Sequence, residues 1–282
     1  MNTACRFWPL PFVFVFLLAS PVQALDVRVS DSRGNNFYMD ALVWLLNKSG
    51  IDYQLISTDH PPSSQKDKVR MLLEGDIDVM YAGTTNTLEQ QLLPIRFPIT
   101  RGYVGRRLLL INKHHQSDYD QINQLSDLKA HTAAFGYGWA DVEVFRASNL
   151  PSEERMYDEI FNLINQGSDY YFSRGVLEVY SELIDKRKTH KNLAVEKSLL
   201  LKYKAAVFFF VSPNNKALEQ ALNQGFEKGY ADHSYIEFFY NHPLIRTSFR
   251  KLNLKNRKLI EIPNPYFPPG SENIPSDYWH HR

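Results

Sequence analysis

Residues 25–81 alternate between strand-like and helix-like patterns, and this order restricts the possible folds more than any other feature of the chain. Strand-like segments alternate apolar and polar side chains, whereas helix-like segments carry apolar side chains three or four positions apart. The predicted order is strand 25–29, helix 37–48, strand 53–56, a helix capped by Ser63 or Ser64 and ended by Gly75, and strand 77–81. Such an order predicts an α/β lobe with a largely parallel sheet.

A second series of strands and helices follows the apolar segment 107–111. Glycines separate its elements, and in its longest helix-like segment the apolar side chains recur at helical spacing. The predicted elements are strand 132–135, the tight loop Gly136-Tyr137-Gly138, helix 139–147, helix 152–166, strand 169–172 and helix 175–186. These elements predict a second α/β lobe.

Two apolar strands connect the predicted lobes. Residues 107–111 lead into the second series, and residues 203–211 lead back to a further amphipathic helix, 213–228. We therefore expect an α/β protein of two lobes, each a mostly parallel sheet flanked by helices, joined by two crossing strands. The predicted division is 25–104 with 206–282 as lobe 1, including a Pro-rich tail at 262–282, and 105–205 as the inserted lobe 2.

The N-terminus has the pattern of a secretory signal peptide. Arg6 provides a positive charge, residues 10–18 are almost wholly apolar, and Val22-Gln23-Ala24 is a small-residue cleavage signal. The apolar run is shorter than the roughly 20 residues that span a bilayer core. We expect residues 1–24 to be removed on export to the periplasm, with an uncleaved anchor as the alternative. Cys5 is the only cysteine, so the mature chain can form no internal disulfide.

Charge and histidine spacing bear on the partners of the chain. Lys and Arg total 32 and Asp and Glu total 31, a balance that argues against nucleic acid as a partner. The nine histidines show no ligand spacing, since His114-His115 and His280-His281 are adjacent pairs and the rest are scattered. We expect no cofactor and no metal, and a monomer that binds a small molecule.

Four short segments carry a resemblance that covers roughly residues 25–260. They are the helix-end glycine and strand at 75–79, the Gly-Thr-Thr-Asn-Thr loop at 83–87, residues 125–139, and the return strand and helix from Phe208 to Leu222. In this order they resemble the bacterial extracellular solute-binding proteins of family 3, the amino-acid-type periplasmic binders. The resemblance implies a type 2 periplasmic-binding fold whose lobes close on a ligand. It also implies a partner such as an inner-membrane ABC transporter or a sensor.

Two positions depart from the family pattern. The family holds the ligand's carboxylate with an arginine shortly after the Thr-rich loop, where this chain has Gln90. The family holds the ligand's ammonium with a second-lobe carboxylate, where this chain has Arg174. Losing two charge-assisted hydrogen bonds costs about 3–6 kcal/mol of binding. We therefore expect a small polar ligand, anionic if Arg174 binds it, rather than an ordinary α-amino acid held in the family's way.

The loop before helix 139–147 is the foremost candidate for ligand contact. Gly138 lets the backbone approach a ligand, Tyr137 and Trp139 offer aromatic surfaces, and amides at a helix start favour an anionic group. The alternative is an ordinary strand-to-helix turn with Trp139 in the core.

Further candidates follow other predicted strands. Tyr81, Thr84 and Thr85 lie at the carboxyl end of a strand, where open α/β sheets place ligands; a capped loop without a ligand is the alternative. Arg174 could pair with an anionic ligand or, alternatively, with Glu178 one turn on. Asp31, in the first strand-to-helix loop, could face the cleft or cap its own backbone.

Three functions remain open from the sequence. The first is a binding protein without catalytic activity, which delivers a solute to an importer or a sensor. The second is a dehydratase-like enzyme on the same fold, for which Glu143 and Glu178 are the candidate acid or base. The third is an interaction protein that binds no small molecule.

Overall fold

The computed structural model describes residues 24–30, 36–58, 61–251 and 253–280. Residues 1–23 of the predicted signal peptide lie outside the described residues, and so does the candidate Asp31. The strands are β1 Leu25–Val29, β2 Tyr53–Ser57, β3 Val79–Gly83, β4 Leu93–Ile95, β5 Arg106–Asn112, β6 Thr132–Gly136, β7 Ser152–Arg155, β8 Tyr170–Gly175, β9 Leu193–Val195, β10 Leu199–Lys202, β11 Val207–Val211 and β12 Lys258–Glu261. The helices are α1 Phe37–Ser49, α2 Gln65–Glu74, α3 Asn86–Gln91, α4 Gln116–Asp120, α5 Asp141–Ala147, α6 Tyr157–Asn165, α7 Val179–Lys186, α8 Lys216–Ala231, α9 Ser234–Asn241 and α10 Pro243–Lys251.

Capping side chains begin the first two helices, and glycines end them. The Asn36 side chain caps α1, and the Ser64 hydroxyl accepts a hydrogen bond from the Asp67 amide at the start of α2. Gly50 and Gly75 terminate these helices at φ angles of 84° and 83°, in the left-handed region that glycine tolerates best. The sequence predictions of both helix ends are confirmed.

Two small sheets form the first lobe. Strands β1 and β2 pair in parallel, and β11 lies between β3 and β4, antiparallel to both. Helix α1 packs closely on α8, since a Cβ atom on Gly225 would lie 2.4 Å from the Leu45 carbonyl oxygen. The elements β1 to β4 thus share the first lobe with β11 and α8, which come from a later part of the chain.

The large sheet forms the second lobe. Its strand order is β12-β10-β5-β8-β6-β7, with β9 paired to β5. Every antiparallel pair among the described strands contains β5 or β11, and all other pairs are parallel. The sheets are therefore not mostly parallel: the large sheet is mixed and the β3-β11-β4 sheet is antiparallel, because each strand that crosses between lobes enters its sheet from the opposite end.

Two chain segments, residues 102–106 and 202–206, form the hinge between the lobes. They lie side by side, and the Tyr203 amide donates to the Gly105 carbonyl at 3.0 Å. Gly105 is required at this crossing because a Cβ atom there would lie 2.1 Å from the Tyr203 carbonyl oxygen. The joint between the lobes is consequently formed by two chain segments in direct contact, the first of which makes a 3-10 turn at Tyr103–Gly105.

The segment 152–166 differs from its sequence prediction as one helix. Residues Ser152–Arg155 form the edge strand β7, parallel to β6, and only Tyr157–Asn165 are helical. Pairing with β6 makes these four residues a strand, because strand formation depends on neighbours that the local sequence does not contain.

The C-terminal residues contact both lobes, whereas the sequence prediction places all of 206–282 in lobe 1. Strand β12 pairs in parallel with β10 of the large sheet, and Arg257 Nη1 donates to the Glu196 and Leu199 carbonyls there. The following residues 262–280, called the C-terminal strap, return to lobe 1. There Phe267 is buried, and the Tyr278 ring lies 4.1 Å from that of Tyr230. Strand β12 precedes the Pro-rich residues and contains no proline, so its backbone can pair with the available edge of the large sheet.

Candidate ligand-binding site

A cavity of about 550 Å³ lies between the lobes. Its first-lobe side is formed by the start of α1, the start of α2 and the carboxyl end of β3. Its second-lobe side is formed by the residues after β6 and by β8 and α7. The aromatic lining residues used below are Tyr38, Tyr81, Trp139 and Tyr157, and the charged ones are Lys68, Arg107, Asp141, Arg174, Glu178 and Glu182.

The first-lobe wall is a pair of stacked tyrosines. Tyr38 lies in the first turn of α1, and its ring stacks on Tyr81 with centroids 4.2 Å apart and planes inclined by 12°. The Asn36 amide donates to the Tyr81 hydroxyl at 3.4 Å, and Lys68 Nζ lies 4.8 Å from the Tyr81 ring centroid. This wall offers a flat aromatic face with polar groups at its edge.

The second-lobe wall centres on Trp139. The indole lies directly on Gly136, where a Cβ atom would be 2.6 Å from it, so glycine is required at that position. It stacks on Phe172 with centroids 5.7 Å apart, and Arg174 Cζ lies 4.7 Å from the indole centroid. Trp139 is half-buried, so it faces the cavity on one side and packs against the sheet on the other.

Arg174 is buried in this wall and bound by two carboxylates. Its guanidinium donates to both oxygens of Glu182, at 2.7 and 2.5 Å, and Nη2 lies 3.1 Å from Glu178 Oε2. Burial by itself opposes the charge, but the two carboxylates hold the pKa of Arg174 well above its ordinary value. Burial would likewise raise the pKa of Glu178, yet Arg174 and Arg107 lower it below the ordinary glutamate value.

A second buried ion pair lies beside the hinge. Arg107 Nη2 lies 2.6 Å from Asp141 Oδ1, and the same guanidinium donates to the Ser173 and Val104 carbonyls at 3.0 and 3.1 Å. The Tyr203 hydroxyl donates to Asp141 as well. Sequence reasoning missed this pair, although a charged side chain within the apolar strand β5 was a signal that could have indicated it.

Three hydrogen bonds join the lobes around the cleft. The Tyr38 hydroxyl donates to Glu178 Oε1, Gln65 Nε2 to the Gly138 carbonyl and the Ser248 hydroxyl to the Leu177 carbonyl, each at 2.8 Å. All three use side chains of the first lobe and acceptors of the second. The lobes are therefore in contact around the cavity.

Comparisons with known proteins bear on this architecture. No family model matches the sequence, and no curated protein matches it. An amino acid ABC transporter substrate-binding protein from Streptococcus pneumoniae, bound to L-arginine, superposes with a TM-score of 0.57 at 15% identity, covering 80% of this chain and 94% of that one. The chain has the two-lobed periplasmic-binding-protein fold.

Two further solved structures share this fold. A Salmonella typhimurium periplasmic binding protein of high arginine specificity superposes with a TM-score of 0.53 at 14% identity, covering 76% of this chain and 97% of that one. The GluR0 ligand-binding core from Nostoc punctiforme, in complex with L-glutamate, gives 0.52 at 17% identity, covering 77% and 97%. These proteins bind ligands, and at such identities the likeness concerns the fold.

On this periplasmic-binding-protein fold, three of the candidate residues meet in one cavity. Tyr81, Trp139 and Arg174 all line the space between the lobes. Gly138 and Thr85 line a neighbouring cavity of about 390 Å³, on the other side of Trp139. Thr85 also caps α3 by accepting from the Leu88 amide at 3.1 Å.

Three other candidates lie apart from both cavities. Thr84 is buried and donates to Glu89 Oε1 at 2.6 Å. Gln90 is exposed on α3, and Tyr137 is 40% exposed. Thr84, which precedes α3, is thus directed inward, whereas Gln90 lies on the exposed face of that helix.

The described residues offer neither a metal site nor a membrane-spanning helix. Among the described residues, no group of three or more His, Cys, Asp and Glu side chains is arranged to hold a metal ion. Within those same parts of the chain, no helix is both long enough and apolar enough to cross a bilayer.

Proposed function

We propose that this protein is a periplasmic solute-binding protein that holds a small polar metabolite in the cleft between its lobes. The cavity of about 550 Å³, lined from both lobes by aromatic and charged side chains, supports this most directly. Its size falls in the usual range of ligand sites, and domain interfaces are a usual place for them. An importer or a sensor of the inner membrane would receive the bound solute.

The charges of the cavity favour a ligand with little net charge. Lys68, Arg107 and Arg174 are matched by Asp141, Glu178 and Glu182, and the two arginines are paired with these carboxylates. The hypothesis of an anionic ligand depends on Arg174, whose guanidinium is bound by Glu178 and Glu182. A neutral or zwitterionic ligand leaves these ion pairs intact.

An ordinary α-amino acid held in the family's way fits this cleft poorly. Gln90 is exposed outside the cavity, so it does not replace the arginine that binds the ligand's carboxylate. The oxygens of Glu178 and Glu182 accept hydrogen bonds or ion pairs from Arg174, Tyr38 and Tyr157. Recognition of an ammonium group would therefore have to displace one of these partners.

The protein is proposed to be a binder and not an enzyme. Glu178 is ion-paired, and its lowered pKa makes it a poor general acid and a weak general base near neutral pH. Glu143 is exposed on α5 and lines the neighbouring cavity, away from Glu178's contacts. Glu178 thus lacks the raised pKa that acid catalysis at neutral pH requires.

A thermal-shift screen of the mature chain, residues 25–282, tests the proposal. We expect at least one compound among neutral, zwitterionic and anionic metabolites to raise the melting temperature, by mass action on the folded state. Trp139→Ala should weaken that compound at least about tenfold, since the indole forms one wall of the site. Tyr266→Ala, an exposed aromatic outside the cleft, is the matched control.

The other outcomes of the screen point to a different function or to a different binding site. A complete absence of shifts would favour an interaction protein that binds no small molecule. Conversion of a stabilising compound into product would favour the dehydratase-like enzyme. A shift that Trp139→Ala and Tyr266→Ala reduce equally would place the ligand outside the cleft.

A further inference from the structure

Residues 243–258 carry six basic side chains and no acidic one. The segment contains helix α10 and the residues that lead into β12. Since the whole chain has 32 basic and 31 acidic residues, this concentration of positive charge is local. A cluster of charges of one sign creates a field that attracts molecules or surfaces of the opposite sign.

The inner face of α10 packs against both lobes. Ile245 is buried, and the Phe249 ring lies 5.1 Å from that of Tyr103 between centroids. The Ser248 hydroxyl donates to the Leu177 carbonyl of the second lobe at 2.8 Å. These contacts fix the position of the helix, so its outer face is the part that a partner can reach.

The outer face of α10 is basic. Arg246 and Arg250 are exposed and lie one helical turn apart, which places them on the same side of the helix. Lys251 is exposed beside Arg250, and Lys255 is exposed in the turn that follows the helix. These four residues are called the basic cluster.

The other two basic residues of the segment are used inside the protein. Arg257 Nη1 donates to the Glu196 carbonyl at 2.6 Å and lies 3.6 Å from its carboxylate. Lys258 Nζ donates to the Ile122 carbonyl at 2.6 Å. Both are therefore left out of the basic cluster.

Within the described ranges, the basic cluster contacts neutral groups only. Arg250 Nη2 donates to the Thr247 hydroxyl at 3.2 Å, and Lys251 Nζ lies 6.0 Å from the Tyr180 ring centroid. None of the four cations pairs with a carboxylate of the described residues. Their charge is consequently left to solvent or to an external partner.

The two helices that pack against α10 supply little negative charge. On α7, Glu182 is bound to Arg174 and Asp185 is bound to Lys188. On α9, Glu237 is exposed and is the one acidic residue of that helix. Four cations thus stand beside a single carboxylate that is not engaged elsewhere.

We propose that the basic cluster binds the surface of a membrane that contains anionic lipids. Each lysine or arginine near such a surface strengthens binding about fivefold. A lipid surface is favoured over an acidic protein, because protein interfaces are usually centred on large apolar anchors. Helix α10 is described over its whole length, and none of the largely exposed apolar side chains lies on it.

The proposal adds an interaction surface to the cleft and does not depend on the identity of the solute. Leu244 and Ile245, on the inner side of α10, line the cleft cavity. A protein bound through the basic cluster would therefore hold α10 between its cleft and the lipid surface.

Co-flotation of the mature chain, residues 25–282, with lipid vesicles tests the proposal. Vesicles that contain phosphatidylglycerol and phosphatidylcholine are compared with vesicles of phosphatidylcholine alone, at low and at physiological salt. We expect binding to the anionic vesicles only, weakened at higher salt because exposed charges are screened. Arg246→Gln with Arg250→Gln should weaken that binding at least about tenfold.

Matched variants separate the basic cluster from general charge effects. Lys129→Gln with Lys191→Gln removes the same charge from exposed positions of the second lobe and should bind as the wild type does. Arg246→Lys with Arg250→Lys keeps the charge and should also bind as the wild type does, because headgroups respond to charge rather than to a fixed geometry. Melting temperatures confirm that each variant is folded. If the Arg246 and Arg250 glutamine variant is unfolded, Lys255→Gln replaces it, with an expected loss of about fivefold.

Three outcomes would overturn the proposal. They are equal binding to both kinds of vesicle, equal binding by both glutamine double variants, and a loss in the Arg246→Lys and Arg250→Lys variant as large as in the glutamine variant. Trp139→Ala alters the cleft and leaves the basic cluster intact, so it should bind anionic vesicles fully. Failure of the cleft proposal and failure of the membrane proposal are thereby distinguishable.

Discussion

Arg107 and Arg174 organise the cleft at the scale of single residues. Each is buried and paired with carboxylates, Arg107 with Asp141 and Arg174 with Glu178 and Glu182. Removing one partner of a buried pair leaves an uncompensated charge, which costs more than the pair contributes. These arginines therefore determine both the shape of the cleft and the charge that a ligand meets there.

Arg107→Met should lower the free energy of unfolding by about 3–5 kcal/mol, because it leaves Asp141 partly buried without its cation. Urea denaturation at neutral pH measures this loss. Arg107→Met combined with Asp141→Asn removes both charges and should be destabilised less than Arg107→Met alone. Equal or greater destabilisation of the double variant would contradict the pairing.

Packing of α1 on α8 governs the first lobe at the scale of elements. The two helices approach so closely that Gly225 has no room for a side chain beside the Leu45 carbonyl. In the second lobe, β7 shows the same dependence on neighbours, since its polar residues form a strand only by pairing with β6. Contacts between elements thus override local helix preference in two ways: they keep a glycine inside α8, and they make part of a predicted helix into strand β7.

Gly225→Ala tests this close approach. Alanine favours a helix over glycine by about 1 kcal/mol, yet its Cβ would force the helices apart, at a cost of typically 1–3 kcal/mol. We expect a net loss of stability and a lower melting temperature. Gln224→Ala, exposed on the same helix, should change stability by less than about 0.5 kcal/mol. A more stable Gly225→Ala would show that the helices separate readily.

The C-terminal strap connects the lobes at the scale of the whole molecule. Strand β12 belongs to the large sheet, while Phe267 and Ile274 are buried in the first lobe. Between them the strap passes over the hinge, where Ile262 and Asn264 bond to Lys202 and Lys204. The same chain segment therefore restrains both lobes and the joint between them.

Deletion of residues 264–282 tests this restraint. It removes the buried side chains of Phe267 and Ile274, each of which contributes about 1.5–3 kcal/mol. We expect the melting temperature to fall by more than about 5 °C and the radius of gyration in solution scattering to rise as the lobes separate. Glu272→Ala with Asn273→Ala, at exposed positions of the strap, is the control. An unchanged melting temperature would show that the strap does not stabilise the folded protein.

The sequence by itself determined the features that local chemistry controls. The alternation of strand and helix patterns up to Tyr81, and the helix ends at Ser64, Gly50 and Gly75, follow from capping and backbone preferences within a few residues. The crossing strands were predictable because they are continuous apolar runs. Trp139 was predictable as a residue of the cleft because glycines precede it at the end of a strand.

Only the tertiary structure decided the contents of the cleft. Arg174 lies near the end of β8, but nothing near it in sequence shows that Tyr38, 136 positions earlier, shares its partner Glu178. The ion pair of Arg107 with Asp141 and the return of β12 to the large sheet depend equally on distant segments. Local patterns specify elements, whereas charges and sheet edges acquire their partners only when the chain has folded.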